Sequence, residues 1–186
     1  MTLTEELISL LADLSYQRRR VVLASGRESD FYVDGKQTTL HARGATVIGK
    51  LMLERIREIG DIAGVGGLTM GADPIATATS VLSSLDDGPD LHAFYVRKEP
   101  KSHGTEQYVE GRTNLPDGSR VVIVEDTTTT GGSAWRAVER SRAEGLDVVA
   151  ILTVVDRVEG AAEFLAAKGI AFHALVTRMD LTGEAE

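Results

Sequence analysis

The residues best suited to chemistry stand in one unbroken stretch, Glu125-Asp126-Thr127-Thr128-Thr129-Thr130-Gly131-Gly132-Ser133. Carboxylates accept hydrogen bonds from vicinal hydroxyls and can face a cation developing at a reacting carbon. The Thr/Gly/Ser turn opens a helix. The first backbone N–H groups of a helix lack intrahelical partners, and its dipole favours an anion there. Glycine at 131 and 132 lets the backbone approach such an anion closely. A phosphate site beside a diol site is the outline of a ribose 5-phosphate. The plainer reading is a polar strand-to-helix turn with Asp126 or Thr130 as a cap. Two acids, four threonines, two glycines and a serine in one turn weigh against it. The stretch is neither a Walker A loop nor G-x-G-x-x-G.

A second concentration is cationic. Arg97, Lys98, Lys101 and His103 fall within seven residues of a chain whose formal net charge is -8. They point to a polyanion, and pyrophosphate fits, because a departing pyrophosphate needs its charge neutralised as its bond lengthens. Loop 97–111 is long and polar, and a loop of that kind can close over a site and reopen for release. Arg157 follows Val154-Val155-Asp156 and on its own reads as a structural strand-end arginine. His41, His92 and His173 have no metal-ligand spacing and read as packing or surface residues. Trp135 reads as core or interface.

These side chains need a scaffold, and the hydrophobic pattern supplies one. Leu3, Leu7, Leu10, Leu11 and Leu14 recur at helical spacing, so a first helix begins near Thr2 or Thr4 and ends before Arg18-Arg19-Arg20, a short basic run read as a solvated helix end. Residues 21–23 and 30–34 read as extended pieces around a turn at 25–27. A helix is predicted over 41–59, with Gly60 as its stop. A buried strand follows over 62–68. Asp73 then caps a helix with Pro74 at its first position. Strands are predicted over 92–96, 120–124, 148–155 and 170–176, and helices over 133–144 and 160–168. Strands alternating with helices predict an α/β fold, a mostly parallel central sheet flanked by helices. Ligands in such sheets bind at the carboxyl ends of the strands, where Glu125 and Arg97 fall.

Composition narrows the classes. A chain of 186 residues suits one domain over 1–186. There is no cysteine, which excludes disulfides, a thiol nucleophile and thiolate-held metal, and fits a cytoplasmic protein. The acidity argues against nucleic acid as a partner. No apolar run is long enough for a membrane span, and the N-terminal leucines do not read as a signal peptide.

The stretch after Val124 resembles the phosphoribosyl pyrophosphate (PRPP) motif of the type I phosphoribosyltransferases. The likeness is greatest to the orotate transferases of that family and extends over nearly the whole chain. Ser25-Gly26-Arg27-Glu28-Ser29-Asp30-Phe31-Tyr32-Val33-Asp34 is similar to the segment near the base pocket. Gly66-Gly67-Leu68-Thr69-Met70-Gly71-Ala72-Asp73-Pro74-Ile75-Ala76 is similar to the pyrophosphate loop, and Arg97-Lys98-Glu99-Pro100-Lys101-Ser102-His103-Gly104 to the mobile catalytic loop.

The resemblance implies the family's fold, with a small N-terminal hood (1–40) contributing to the base pocket. It implies transfer of the phosphoribosyl group of PRPP to orotate, giving orotidine 5-monophosphate and pyrophosphate, a step of pyrimidine (UMP) biosynthesis. Glu125 and Asp126 would bind the ribose hydroxyls, and Thr127, Thr128, Thr129, Thr130, Gly131, Gly132 and Ser133 the 5-phosphate. Arg97, Lys98, Lys101 and His103 would complete the PRPP site, and Lys101, His103 and Asp126 would be catalytic. Tyr32, Val33, Thr129 and Arg157 would bind orotate. Mg2+ would be held mainly through substrate and water, not by a protein metal cage. The loop would reach a neighbouring subunit's site in a homodimer. The family commonly has lysines where Ala24 and Met70-Gly71 stand. Their part is expected from Lys98, Lys101 and Lys36, or from backbone N–H groups. Alternatives are a transferase for another base, or a PRPP-sensing regulator without catalysis.

Overall fold

A computed structural model describes residues 1–22, 28–100 and 107–183, and the backbone alone at 18–22 and 28–30. The first helix, α1, spans Leu3–Leu14. Thr2 starts it with a capping box: its Oγ1 accepts from the Glu5 amide at 3.2 Å, and its own amide donates to Glu5 Oε2 at 2.7 Å. Leu7 and Leu11 are the buried positions of this helix.

Strands β1 (Tyr16–Val22) and β2 (Glu28–Val33) form a separate antiparallel pair. The basic run 18–20 therefore lies in a strand and not at a helix end. Two cross-strand partners fix it there: Tyr16 opposite Val33, and Arg18 opposite Phe31. A short helix, α2 (Gly35–Thr39), follows, with Asp34 as its N-cap. The Ser15 and Thr38 hydroxyls are 2.7 Å apart and tie α2 to the end of α1.

The main sheet is built from β3 (Gly64–Leu68), β4 (His92–Val96), β5 (Val109–Glu110), β6 (Arg120–Thr128), β7 (Asp147–Asp156) and β8 (Ala171–Thr177), in the order β5-β4-β3-β6-β7-β8. All neighbours are parallel except β5 against β4. Part of the expected loop 97–111 is thus an edge strand. The helices between strands are α3 (Ala42–Ile59), α4 (Asp73–Ser84), α5 (Gly132–Ala143) and α6 (Ala161–Ala167), with α7 (Arg178–Thr182) after the last strand.

Strand period 2 divides β6 between the two faces. Val122 and Val124 pack with Val47, Ile48 and Met52 of α3 and with Leu7 and Leu11 of α1. Val121 and Ile123 pack with Ala134, Ala137 and Val138 of α5. A sheet covered on both faces in this way requires continuous apolar strands, and 121–124 is one.

Two boundary shifts bear on the site. Helix α4 begins at Asp73, with Ala72 as a cap that makes no side-chain bond, so Asp73 is inside the helix and not its cap. Strand β6 runs on to Thr128 and carries both acids within it. The β3–β6 pairing ends at Gly66 and Ile123, while β6 stays paired with β7 as far as Thr128 and Asp156. The strand order reverses between β3 and β6, and a crevice opens there.

Candidate active site

Glu125 and Asp126 are neighbours on a strand, so they face opposite sides of the sheet. Glu125 continues the face of Val121 and Ile123 and lines a cavity of about 100 Å³ with Thr127, Thr128, Thr129, Thr130, Gly131, Gly132, Ser133 and Ala134. Glu125 is 7% exposed, and its Oε1 has no hydrogen-bond partner. Burial, then the Asp126 charge, push this carboxyl up to about 8, against the pull of Lys98 and Arg136.

Asp126 faces the other way. Its Oδ1 accepts from the Thr127 amide at 2.9 Å, and Oδ2 lies 4.0 Å from Lys36 Nζ. Burial raises this carboxyl too, while Lys36 opposes the rise. Lys36 also pairs with Asp34 at 2.7 Å. The loop after β3 presses on the same carboxylate: a Cβ at Gly71 would stand 2.6 Å from Asp126 Oδ1. A larger residue there would push the Asp126 side chain aside.

The turn itself is short. It follows Thr128 and ends in Gly131, whose φ of 80° is left-handed and which caps α5 without a side-chain bond. No side chain therefore competes for the first amides of α5, as an anion site needs. The Oγ1 atoms of Thr127 and Thr128 are buried without partners. Buried polar atoms left unpaired cost on the order of 1–3 kcal/mol each, and a polar ligand would relieve that cost. The arrangement can hold a phosphate at the head of α5, with the Glu125 carboxyl in the same cavity.

Arg157 follows β7 and is buried, 7% exposed. Its amide donates to the Thr128 carbonyl at 3.0 Å, and its Nη2 donates to the Phe31 carbonyl at 3.2 Å and pairs with Glu159 at 3.1 Å. Its Nε is buried without a partner. The structure thus brings Arg157, the end of β6 and the Phe31-Tyr32-Val33 strand together. Tyr32 is half-buried, and Val33 belongs to the hydrophobic core, so it can offer a ligand its backbone only. Thr129 is half-buried in the cavity wall.

Arg97 is held by Glu110 at 3.0 Å. Lys98 is exposed, and its charge acts on Glu125. Lys101, His103 and Ala24 lie outside the described residues. Among the described residues no three His, Asp or Glu side chains gather as a metal site.

Three charged groups carried no ligand role in the sequence reading. Asp34 holds Lys36. Arg136, one turn into α5, reaches Ser133 Oγ at 3.4 Å and also acts on Glu125. Asp73 has a buried Oδ1 without a partner, and burial raises its carboxyl. Helical spacing from Ser133 could have indicated Arg136. Nothing in the spacing indicates the state of Asp73.

The profile of the phosphoribosyl transferase domain matches residues 36–168. An orotate phosphoribosyltransferase of Nostoc sp. is 47% identical over 97% of this chain and 85% of its own length. The orotate phosphoribosyltransferase of Mycobacterium tuberculosis, in a crystal structure with Fe(III) dicitrate, superposes with a TM-score of 0.83 at 44% identity, covering 97% of this chain and 99% of that one. A crystal structure of the same enzyme with PRPP superposes with a TM-score of 0.79 at 42% identity and the same coverage.

Proposed function

The chain belongs to the phosphoribosyltransferase family, and from that premise we propose that it transfers the phosphoribosyl group of PRPP to orotate, giving orotidine 5-monophosphate and pyrophosphate, a step of pyrimidine biosynthesis. One observation carries the reading: Glu125 lines a polar cavity at the head of α5 whose buried oxygens have no protein partner. The relatives' common name and the buried Arg157 favour orotate, because a fork-shaped guanidinium suits a carboxylate.

In this reading a ring nitrogen of orotate loses its proton, which the departing pyrophosphate oxygens accept, and forms a bond to the anomeric carbon as the bond to pyrophosphate breaks and pyrophosphate leaves with the electron pair. The amides of Gly131, Gly132 and Ser133 hold the 5-phosphate. Glu125 and Asp126 accept from the ribose hydroxyls and face the cationic ribose. Arg97, Lys98, Lys101 and His103 neutralise the pyrophosphate, and Lys101 and His103 assist its departure. Tyr32, Val33, Thr129 and Arg157 hold the base. Most of the acceleration comes from positioning and charge.

Mg2+ fits this oxygen-rich site, with Glu125 and Asp126 as acceptors for its waters and for the ribose hydroxyls. When bound, it neutralises pyrophosphate charge. One catalytic domain over 1–186, with 1–40 as its hood, is part of the proposal. So is a homodimer with shared sites, which the exposed Leu40 and Met70 support. A cytoplasmic setting follows from the phosphorylated substrates. The test is pyrophosphate release from PRPP and Mg2+ with a panel of bases. Release with orotate is expected. Release only with a purine overturns the choice of base, and PRPP binding without any release overturns the enzyme.

A further inference from the structure

Helix α5 carries the phosphate turn at its head. Farther along, the same helix grips the backbone beside Lys98. Arg140 Nη1 donates to the Arg97 carbonyl at 2.6 Å, and its guanidinium lies 4.3 Å from the centre of the Tyr108 ring. Glu144, the C-cap residue of α5, accepts from the Tyr108 amide at 2.6 Å and the Val109 amide at 3.0 Å through one oxygen. The Arg97 amide donates to the Tyr108 carbonyl at 2.8 Å, which joins the two gripped segments. Charged side chains bonded to backbone groups make stronger hydrogen bonds than neutral ones. Two such side chains on one helix, both aimed at one short stretch of backbone, form a clamp. Helix α5 has 12 residues, so the clamp and the phosphate turn are joined by a rigid rod about 18 Å long.

We propose that Arg140 and Glu144 are positioning residues of the transfer reaction: they lock the backbone at Arg97 and Tyr108 to the helix that binds the 5-phosphate, and so set Lys98 at a fixed offset from Glu125. The inference rests on the proposed transfer from PRPP, in which Lys98 meets the pyrophosphate. Neither residue touches the reacting atoms. They act through the Arg97 carbonyl and the Tyr108 and Val109 amides. A cation misplaced by about 1 Å at a leaving group costs up to two orders of magnitude in rate, so a clamp at this place has kinetic weight.

The test uses the full chain with Arg140→Ala, Arg140→Lys and Glu144→Ala. Arg140→Ala should lower kcat about ten-fold while KM for orotate stays within about two-fold. Arg140→Lys, whose ammonium can still donate to the Arg97 carbonyl, should recover most of the loss. Glu144→Ala should speed hydrogen exchange at the Tyr108 and Val109 amides without substrate present. Unchanged kcat in Arg140→Ala overturns the role, as does a loss that spreads equally to KM for orotate and is not rescued by lysine. Unchanged exchange in Glu144→Ala overturns the clamp whichever base the enzyme uses. A parent protein that releases no pyrophosphate with orotate counts against the reaction instead.

Discussion

The phosphate turn and the base pocket are built in opposite ways. The turn with its two acids is one continuous stretch at the end of β6, and several of its polar atoms have no protein partner. The base pocket is assembled from three distant pieces, and its central cation is already held through Nη2, with Nε left without a partner. Arg157 donates to Phe31, 126 residues away in the chain, and pairs with Glu159. The turn therefore waits for a ligand to satisfy it. In the pocket, the ligand joins groups that the fold has already oriented. Damage to the turn should fall on PRPP and catalysis, and damage to the pocket on the base.

The largest effect should come from the turn. Asp126→Asn keeps the shape and removes a charge that faces the ribose, so kcat/KM should fall about 10²- to 10³-fold. Steady-state rates with each substrate varied in turn check this, and a loss confined to KM for orotate would erase the distinction between the two regions.

Glu125 sharpens it further through pH. Its carboxyl is pushed up to about 8 in the fold, against an ordinary 4.5. A raised carboxyl contributes fully to stability below the lower value and loses that contribution as pH rises through the higher one. Glu125→Gln cannot ionise. Its stability should match the parent near pH 4.5 and exceed it on the order of a few kcal/mol by pH 9. Thermal unfolding across this window reads the gap, and a gap that does not widen contradicts the buried, unpaired carboxyl.

Arg157→Ala should raise KM for orotate about 100-fold, from loss of a charged hydrogen-bonded pair of about 2–3 kcal/mol. KM for PRPP should barely move. Gly131→Ala forces a side chain into a left-handed conformation with Leu165 3.1 Å away. It should cost about 1–2 kcal/mol in unfolding free energy and weaken PRPP more than orotate.

The same contrast explains what could be read from the sequence. Glu125 to Ser133 was legible because its chemistry is contiguous and its strand, 121–124, is apolar throughout. Alternation of strands and helices gave the parallel sheet. Arg157 alone read as an ordinary strand end, because the Phe31 carbonyl comes to it only through folding. The run 18–20 was misread because its place in β1 depends on pairing with β2. Asp73 is a residue type that favours caps, yet α4 starts one residue early and buries its Oδ1. The edge strand β5 has two residues and no pattern of its own. Its partner β4 and the Glu144 carboxylate define it.

The division between the regions is tested most directly by calorimetric titration of PRPP with Mg2+, without orotate, into Asp126→Asn and Arg157→Ala. Arg157→Ala should bind PRPP as the parent does, and Asp126→Asn should bind it about ten-fold more weakly. Equal losses in both variants would contradict the account.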